Sequence, residues 1–203
     1  YDVSGGRITI DGQDIREVTQ ASLRAAIGIV PQDTVLFNDT IYYNIAYGRP
    51  TASRDEVIAA ARAAHIHDFI ESLPHGYDSN GGERGLQLSG GEKQRVAIAR
   101  TLLKQPSILI FDEATSALDT RTEKTIQHEL AEIARGRSTL VIAHRLSTIV
   151  HADQIIVIEH GRIVERGSHQ QLLTDGGRYA QLWQLQQRGG RDAAVAADET
   201  VQA

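Results

Sequence analysis

The apolar positions of this chain alternate between the two-residue period of strands and the 3.6-residue period of helices. The run at 107–111 is apolar without interruption, as expected for a strand buried on both faces of a parallel sheet. Turn signals at Asp11-Gly12 and His160-Gly161 predict hairpins. Strand patterns cover residues 6–12, 27–32, 107–111, 138–144 and 154–167.

Helical spacing covers residues 53–73 and the stretch that begins at SGGE, residues 89–92. The first of these has a capping box, Ser53 with Glu56, and ends before Pro74. A glycine-rich segment at 75–85 predicts a loop between the two helices. The alternation of strands and helices predicts an α/β fold, with helices flanking a largely parallel sheet.

The start of the second helix carries more than a cap requires. Ser89 can cap the helix and Glu92 can reach back to it, which completes a capping box. Gly90 and Gly91 also let another group approach the free N–H groups of the first turn, where anions such as phosphate bind favourably. The motif alone is more typical of an ordinary capped helix with its apolar face in the core.

Composition narrows the class of protein. The chain has 203 residues, a net charge of −5 and no cysteine, which argues against nucleic-acid binding through bulk charge and excludes disulfides and thiolate metal sites. Its apolar runs are too short for a membrane helix. No methionine is present, so we expect Tyr1 to follow further sequence. The tail at 188–203 has little to bury, and we expect it to be disordered.

Several polar residues follow the predicted strands. Asp112 and Glu113 end one strand, where a carboxylate could orient Mg²⁺ and its neighbour could polarise water. Each also has a structural interpretation, because acids often end strands near solvent. Asp119 could simply cap the helix that follows it, and His144 could be structural. Gln32 follows another strand.

Taken in chain order, these motifs resemble those of the nucleotide-binding domain of ABC ATPases over about residues 1–187. The resemblance implies a P-loop NTPase-type α/β fold with a mainly parallel sheet and a small helical subdomain at about 50–105. The matching stretches are Gln32 (Q-loop), LSGGEKQR at 88–95 (signature), ILIFDE at 108–113 (Walker B), SALD at 116–119 (D-loop) and His144 (H-loop).

The resemblance also implies a chemical role for each matching residue, with ATP and Mg²⁺ as cofactors. The signature residues contact the γ-phosphate of ATP held by the opposite copy of a head-to-tail dimer. Asp112 and Gln32 hold Mg²⁺, while Glu113, Gln32 and His144 serve hydrolysis. The nucleotide-contacting residues are Ser89, Gly90, Gly91, Glu92, Asp119 and His144.

The segments at 30–48 and 81–123 resemble ABC exporters, most closely half-transporters of the mitochondrial iron–sulfur and heavy-metal-tolerance group. This implies a transmembrane partner domain, a second copy of the chain, no nucleic acid, and a place at the cytoplasmic face of a membrane. The alternative is a soluble ABC ATPase of the DNA-repair or chromosome-structure class, but its long coiled-coil insertion is absent between Gln32 and Ser89. A non-catalytic remnant is a further alternative, and the intact FDE at 111–113 argues against it.

One motif of the family is missing. The phosphate-binding sequence G-x-x-x-x-G-K-[ST], Walker A, does not occur, and the chain contains no Gly-Lys pair. That loop supplies the backbone donors and the lysine that hold the β- and γ-phosphates. We therefore expect a domain truncated at its N-terminus, inactive as an ATPase on its own but part of an active transporter.

Overall fold

The computed structural model describes residues 3–82, 88–112 and 120–187. The strands are β1 Thr9–Ile10, β2 Gln13–Asp14, β3 Ile27–Val30, β4 Ile108–Asp112, β5 Ser138–Ile142, β6 Ile155–Glu159 and β7 Arg162–Gly167. The helices are α1 Gln20–Ala26, α2 Ile41–Ala46, α3 Arg54–Ala63, α4 His67–Glu71, α5 Gly90–Leu103, α6 Thr120–Ala134 and α7 His169–Asp175, and residues 178–187 are also helical.

A three-stranded parallel sheet in the order β3-β4-β5 forms the centre of the first of two compact units, which divide between Ile142 and Ala143. In its register, Val30 pairs with Phe111 and Asp112 pairs with Ile142. Each connection between these strands passes through helices, as parallel pairing requires. The predicted α/β class with parallel strands is therefore confirmed.

The sheet is covered on one face by the described residues, unlike the prediction from the continuous apolar run. Leu109 and Phe111 are buried at 0% and 4% exposure, whereas alternate residues of β4 are only half-buried. Ile29 and Leu140 flank Ile110 in register and are each 55% exposed. Sequence pattern alone could not separate the two faces, because both carry branched apolar side chains.

The covered face packs against α5, the helix that carries the SGGE motif. Gly28 lies under this helix: a Cβ there would come within 2.7 Å of Thr101 Cγ2 and 2.6 Å of Pro106 Cγ. The core continues from the sheet through α5 into α2, α3 and α4, where Ile45, Val57 and Ile70 are fully buried. A helical layer at about residues 41–103 thus shares one core with the sheet.

The helix predicted over 53–73 is wrong as a single element. Its capping box, Ser53 with Glu56, is confirmed, but α3 ends at Ala63. His65 adopts φ +51°, and the Ile66 N–H donates to the Ala61 carbonyl at 3.0 Å. A left-handed residue cannot continue a helix, so the chain turns and places Ile66 in the core before α4 begins.

The second unit contains the β6–β7 hairpin, α7 and the final helix. Its turn has φ +49° at His160 and +74° at Gly161, and the predicted hairpin is confirmed. In the first unit, the other predicted hairpin also forms, as the short β1–β2 pair around Asp11-Gly12.

The core of the second unit consists of Leu146, Ile155, Leu172 and Tyr179. Trp183 packs beside them, with its ring 4.7 Å from that of His169.

Candidate functional site

The C-terminal edge of the parallel sheet brings two of the predicted site residues together. Asp112 is the last residue of β4, and Gln32 follows β3 by two positions, where Val30 is paired with Phe111. Because the strands are parallel, both residues lie at the same edge, which is where ligands bind in open α/β sheets. Gln32 is exposed and Asp112 is half-buried.

Asp112 belongs to the uncovered face of the sheet. It lies on the same face of β4 as Ile108 and Ile110, and its register partner Ile142 is 46% exposed. Within the described ranges, no group of three or more acidic, histidine or cysteine side chains could enclose a metal ion. A single carboxylate at an open edge fits Mg²⁺, which commonly binds one or two protein carboxylates together with substrate phosphates and water.

The predicted capping box at the start of α5 is confirmed. The Ser89 hydroxyl accepts from the Glu92 N–H at 3.3 Å, and the Ser89 N–H donates to Glu92 Oε2 at 2.6 Å. This cap uses the N–H groups of Ser89 and Glu92 only. The N–H groups of Gly90 and Gly91 have no acceptor inside the helix, as at every helix start, and Gly90 is exposed.

Two side chains of α5 that sequence reasoning missed attach this helix to its neighbours. Gln94 is 3% exposed and hydrogen-bonds to the chain on both sides of Gln32. Arg95 donates twice, at 3.2 Å, to the carboxylate of Glu129 on α6. A polar pair QR inside an otherwise apolar helical face was the available signal, because buried polar side chains need partners.

The segment after Gln32 is fixed by Asn44 and Arg100. Asn44 is fully buried and exchanges hydrogen bonds with both backbone groups of Phe37, at 2.8 and 3.0 Å. Arg100 donates to Asn44 Oδ1 at 3.0 Å and to the Asn44 carbonyl at 2.7 Å. Burial lowers the pKa of the Arg100 guanidinium, which still remains charged at neutral pH because an arginine pKa lies so far above it.

An aromatic cluster of Phe37, Tyr43 and Tyr47 lies on the outer side of this segment. The ring of Phe37 is 4.5 Å from that of Tyr47 and 5.9 Å from that of Tyr43. The three side chains are 38%, 43% and 53% exposed, and Val35 nearby is 74% exposed. Arg100 lies over the Phe37 ring at 5.2 Å, so the cluster is attached to α5.

His144 lies in the second unit, two residues beyond the end of β5, and is exposed. Gln186 holds the backbone around it, since Gln186 Nε2 donates to the His144 carbonyl at 2.6 Å and Gln186 Oε1 accepts from the Leu146 N–H at 2.9 Å. Nothing in the sequence pattern indicated Gln186. The predicted site residues Glu113 and Asp119, and the tail at 188–203, lie outside the described residues.

The fold and these motifs define a nucleotide-binding α/β domain, and comparison with known proteins gives its family. The family model described as ABC transporter matches residues 1–116. The chain therefore belongs to the ABC transporter family.

Individual relatives show which members of the family the chain resembles. The chain is 66% identical over 189 residues to ATP-binding cassette sub-family B member 6 of Mus musculus. The aligned region covers 93% of this chain and 22% of the relative. It is 63% identical over 198 residues to the ATM1-type heavy metal exporter of Novosphingobium aromaticivorans, covering 98% of this chain and 33% of the relative. The chain thus spans a third or less of the length of these relatives.

A solved structure agrees with the sequence comparison. The structure of a bacterial Atm1-family ABC exporter with ATP bound is similar at a TM-score of 0.84 and 65% identity, over 92% of this chain and 32% of that chain. The resemblance to exporter half-transporters of the heavy-metal-tolerance group is thereby confirmed.

Proposed function

We propose that residues 1–187 are the nucleotide-binding domain of an Atm1-type exporter, with a helical subdomain at about 50–105, and that ATP hydrolysis in it powers transport across a membrane. The observation that carries the proposal is the shared sheet edge of Gln32 and Asp112, with a capped, glycine-led helix anchored beside it. None of the relatives named above is a DNA-repair protein.

In this proposal Asp112 and Gln32 hold Mg²⁺ at the sheet edge, and Mg²⁺ supplies charge that neutralises the phosphates of bound ATP. Glu113 accepts a proton from the attacking water, and His144 binds the terminal phosphate. Ser89, Gly90, Gly91 and Glu92 form the helix end that meets ATP held by a second copy of the chain. Asp119 contacts the nucleotide across the same dimer.

The partner surface follows from the exposed aromatic cluster. Phe37, Tyr43 and Tyr47 present a contiguous aromatic surface on the part of the chain that follows Gln32, and aromatic side chains are enriched where proteins dock. We propose that a transmembrane domain of the same transporter binds there, at the cytoplasmic face. None of the described helices is itself long and apolar enough to cross a membrane.

The direct test is hydrolysis of Mg·ATP by the complete protein in lipid, with a Glu113→Gln variant as the control. Activity in the parent that is lost in the variant supports the proposal. A parent protein that binds ATP but shows no hydrolysis above the variant contradicts it.

The 203-residue chain by itself should not turn over ATP, because it lacks a Gly-Lys phosphate cradle. Helix-end and carboxylate contacts alone should bind Mg·ATP weakly. Isothermal titration calorimetry of the chain with Mg·ATP measures this directly. Micromolar affinity would show that the phosphate grip lies within these residues after all.

Gln32→Ala in the complete protein should lower transport more than it lowers nucleotide binding. Gln32 belongs to the proposed metal site and begins the segment that carries the aromatic cluster, so its loss should disturb the coupling between the two more than it weakens ATP binding. Vesicle uptake and fluorescent-nucleotide binding measured on the same preparation compare the two losses. Equal losses would remove the coupling role, and Asp33→Ala at the neighbouring exposed position is the matched control.

A further inference from the structure

Gln94, in the second turn of α5, holds the loop that contains Gln32 from both sides. Gln94 Oε1 accepts from the Thr34 hydroxyl at 2.6 Å, and Gln94 Nε2 donates to the Pro31 carbonyl at 3.4 Å. Pro31 and Thr34 bracket Gln32 and Asp33 in the chain. One buried amide therefore fixes the two ends of the loop to the helix.

A glutamine at this position is costly unless both ends of its amide are satisfied. Gln94 is 3% exposed and shares its helix face with the apolar residues Ala97 and Ile98, which are 3% and 1% exposed. A leucine or methionine would fill the same space without a polar group to desolvate. Within the described residues, both hydrogen bonds of the amide are made to the loop after β3, so the position of the amide and that of the loop depend on each other.

Thr101, two turns further along α5, provides an instructive contrast. Its hydroxyl approaches the Ile29 carbonyl at 3.2 Å, but it also lies 2.9 Å from the Ala97 carbonyl of its own helix. Thr101 can therefore be satisfied without the sheet, whereas in the described part of the chain both hydrogen bonds of Gln94 are made to the loop. Thr101 touches β3 inside the strand and not in the loop.

We propose that Gln94 is a positioning residue that transmits movement of the Ser89 end of α5 to Gln32. Ser89 is fixed to α5 by the capping box, and Gln94 follows it by about 7.5 Å along the helix axis. Movement of Ser89 toward ATP on the second copy of the chain therefore moves the loop of Gln32 in its own copy. This inference rests on the proposed function, because it requires a dimer that closes on ATP.

Gln94 therefore lies, within each chain, between a residue of one proposed ATP site and a residue of the other. Each proposed site contains Gln32 of one copy and Ser89 of the other, so the loss of Gln94 should reduce cooperativity in ATP, for which the Hill coefficient of two sites cannot exceed two.

The test uses a thiol reporter at Asp33, which is exposed and adjacent to Gln32. Because the chain has no cysteine, Asp33→Cys places one thiol in this loop, with any cysteine elsewhere in the complete protein replaced. The rate of maleimide labelling is measured with and without Mg·ATP, and the ratio is taken within each variant. The variants are Gln94→Met, Thr34→Val and the two combined, with Thr101→Val as the matched control.

In the reporter parent and in Thr101→Val, Mg·ATP should change the labelling rate at least about fivefold, the lower end of ordinary coupling energies. Gln94→Met and Thr34→Val should each abolish most of this change, and the double variant should be no worse than either single one. Thr34→Val removes only one hydroxyl, so it remains informative if Gln94→Met folds poorly. Cooperativity in ATP should fall in the same two variants.

An unchanged labelling ratio in both Gln94→Met and Thr34→Val overturns the proposal, as does an equal loss in Thr101→Val. The proposed function fails differently, through a parent protein that does not hydrolyse Mg·ATP. Labelling that responds to Mg·ATP in such a parent, and loses that response in Gln94→Met and Thr34→Val, would retain the link between Gln94 and Gln32 as a feature of nucleotide binding alone.

Discussion

Asp112→Asn will weaken Mg·ATP binding and abolish turnover, whereas Glu113→Gln will abolish turnover and leave ATP bound. Asp112 ends β4 at the edge shared with Gln32. Asparagine keeps the shape but removes the charge that holds a divalent cation beside the phosphates. Glutamine at 113 keeps hydrogen bonding but cannot accept a proton, and general-base catalysis is worth about 10²- to 10⁴-fold.

The measurement is nucleotide trapping in the complete protein after incubation with Mg·ATP, with dimer closure followed by light scattering. Closed, ATP-loaded dimers for Glu113→Gln but not for Asp112→Asn support the assignment. Omission of Mg²⁺ should make the parent resemble Asp112→Asn. If Glu113→Gln hydrolyses ATP within a few-fold of the parent rate, Glu113 is not the base.

Glu129→Ala will destabilise the chain by about 3–5 kcal/mol, the cost of leaving a buried charge without its partner. The Arg95 and Glu129 side chains are only 19% and 8% exposed, and the guanidinium donates twice to the carboxylate. This pair attaches α6 to α5. At about 2–4 °C per kcal/mol for a chain of this size, the midpoint of thermal unfolding should fall by roughly 10 °C.

Replacing both partners gives the decisive comparison. Arg95→Met with Glu129→Leu removes both charges and fills the space, so the double variant should recover most or all of the lost stability. Arg16→Gln, which breaks the exposed 2.7 Å pair with Asp14, should leave the midpoint of thermal unfolding almost unchanged, because water screens an exposed pair. If Glu129→Ala unfolds at the parent temperature, the pair contributes nothing, and packing alone holds α6.

Local chemistry explains why the strands, the caps and the hairpin turns could be predicted from the sequence. Ser53 and Ser89 cap their helices with the glutamate three residues on, and Asp11-Gly12 and His160-Gly161 turn with positive φ. These features depend on neighbours in the chain, so a pattern of a few residues contains the information. The order of the motifs then gave the family.

Long-range contacts were not predictable in the same way. Gln94 meets Pro31 and Thr34 some sixty positions away, and no local pattern records that pairing. The break at His65 was missed because apolar spacing continues through it, and a left-handed histidine has no sequence signal as clear as glycine. The uncovered sheet face was missed because pattern shows that a strand is apolar but not which neighbours cover it.

Because Trp183 packs against His169 in the second unit, tryptophan fluorescence reports the folding of that unit. Trp183 is the only tryptophan in the chain, so all indole emission arises from the unit that begins at Ala143. Most of the helical dichroism comes from α1 to α6, on the other side of that division. Chemical denaturation followed by both signals will therefore reveal in a single titration whether the two units melt together or in succession.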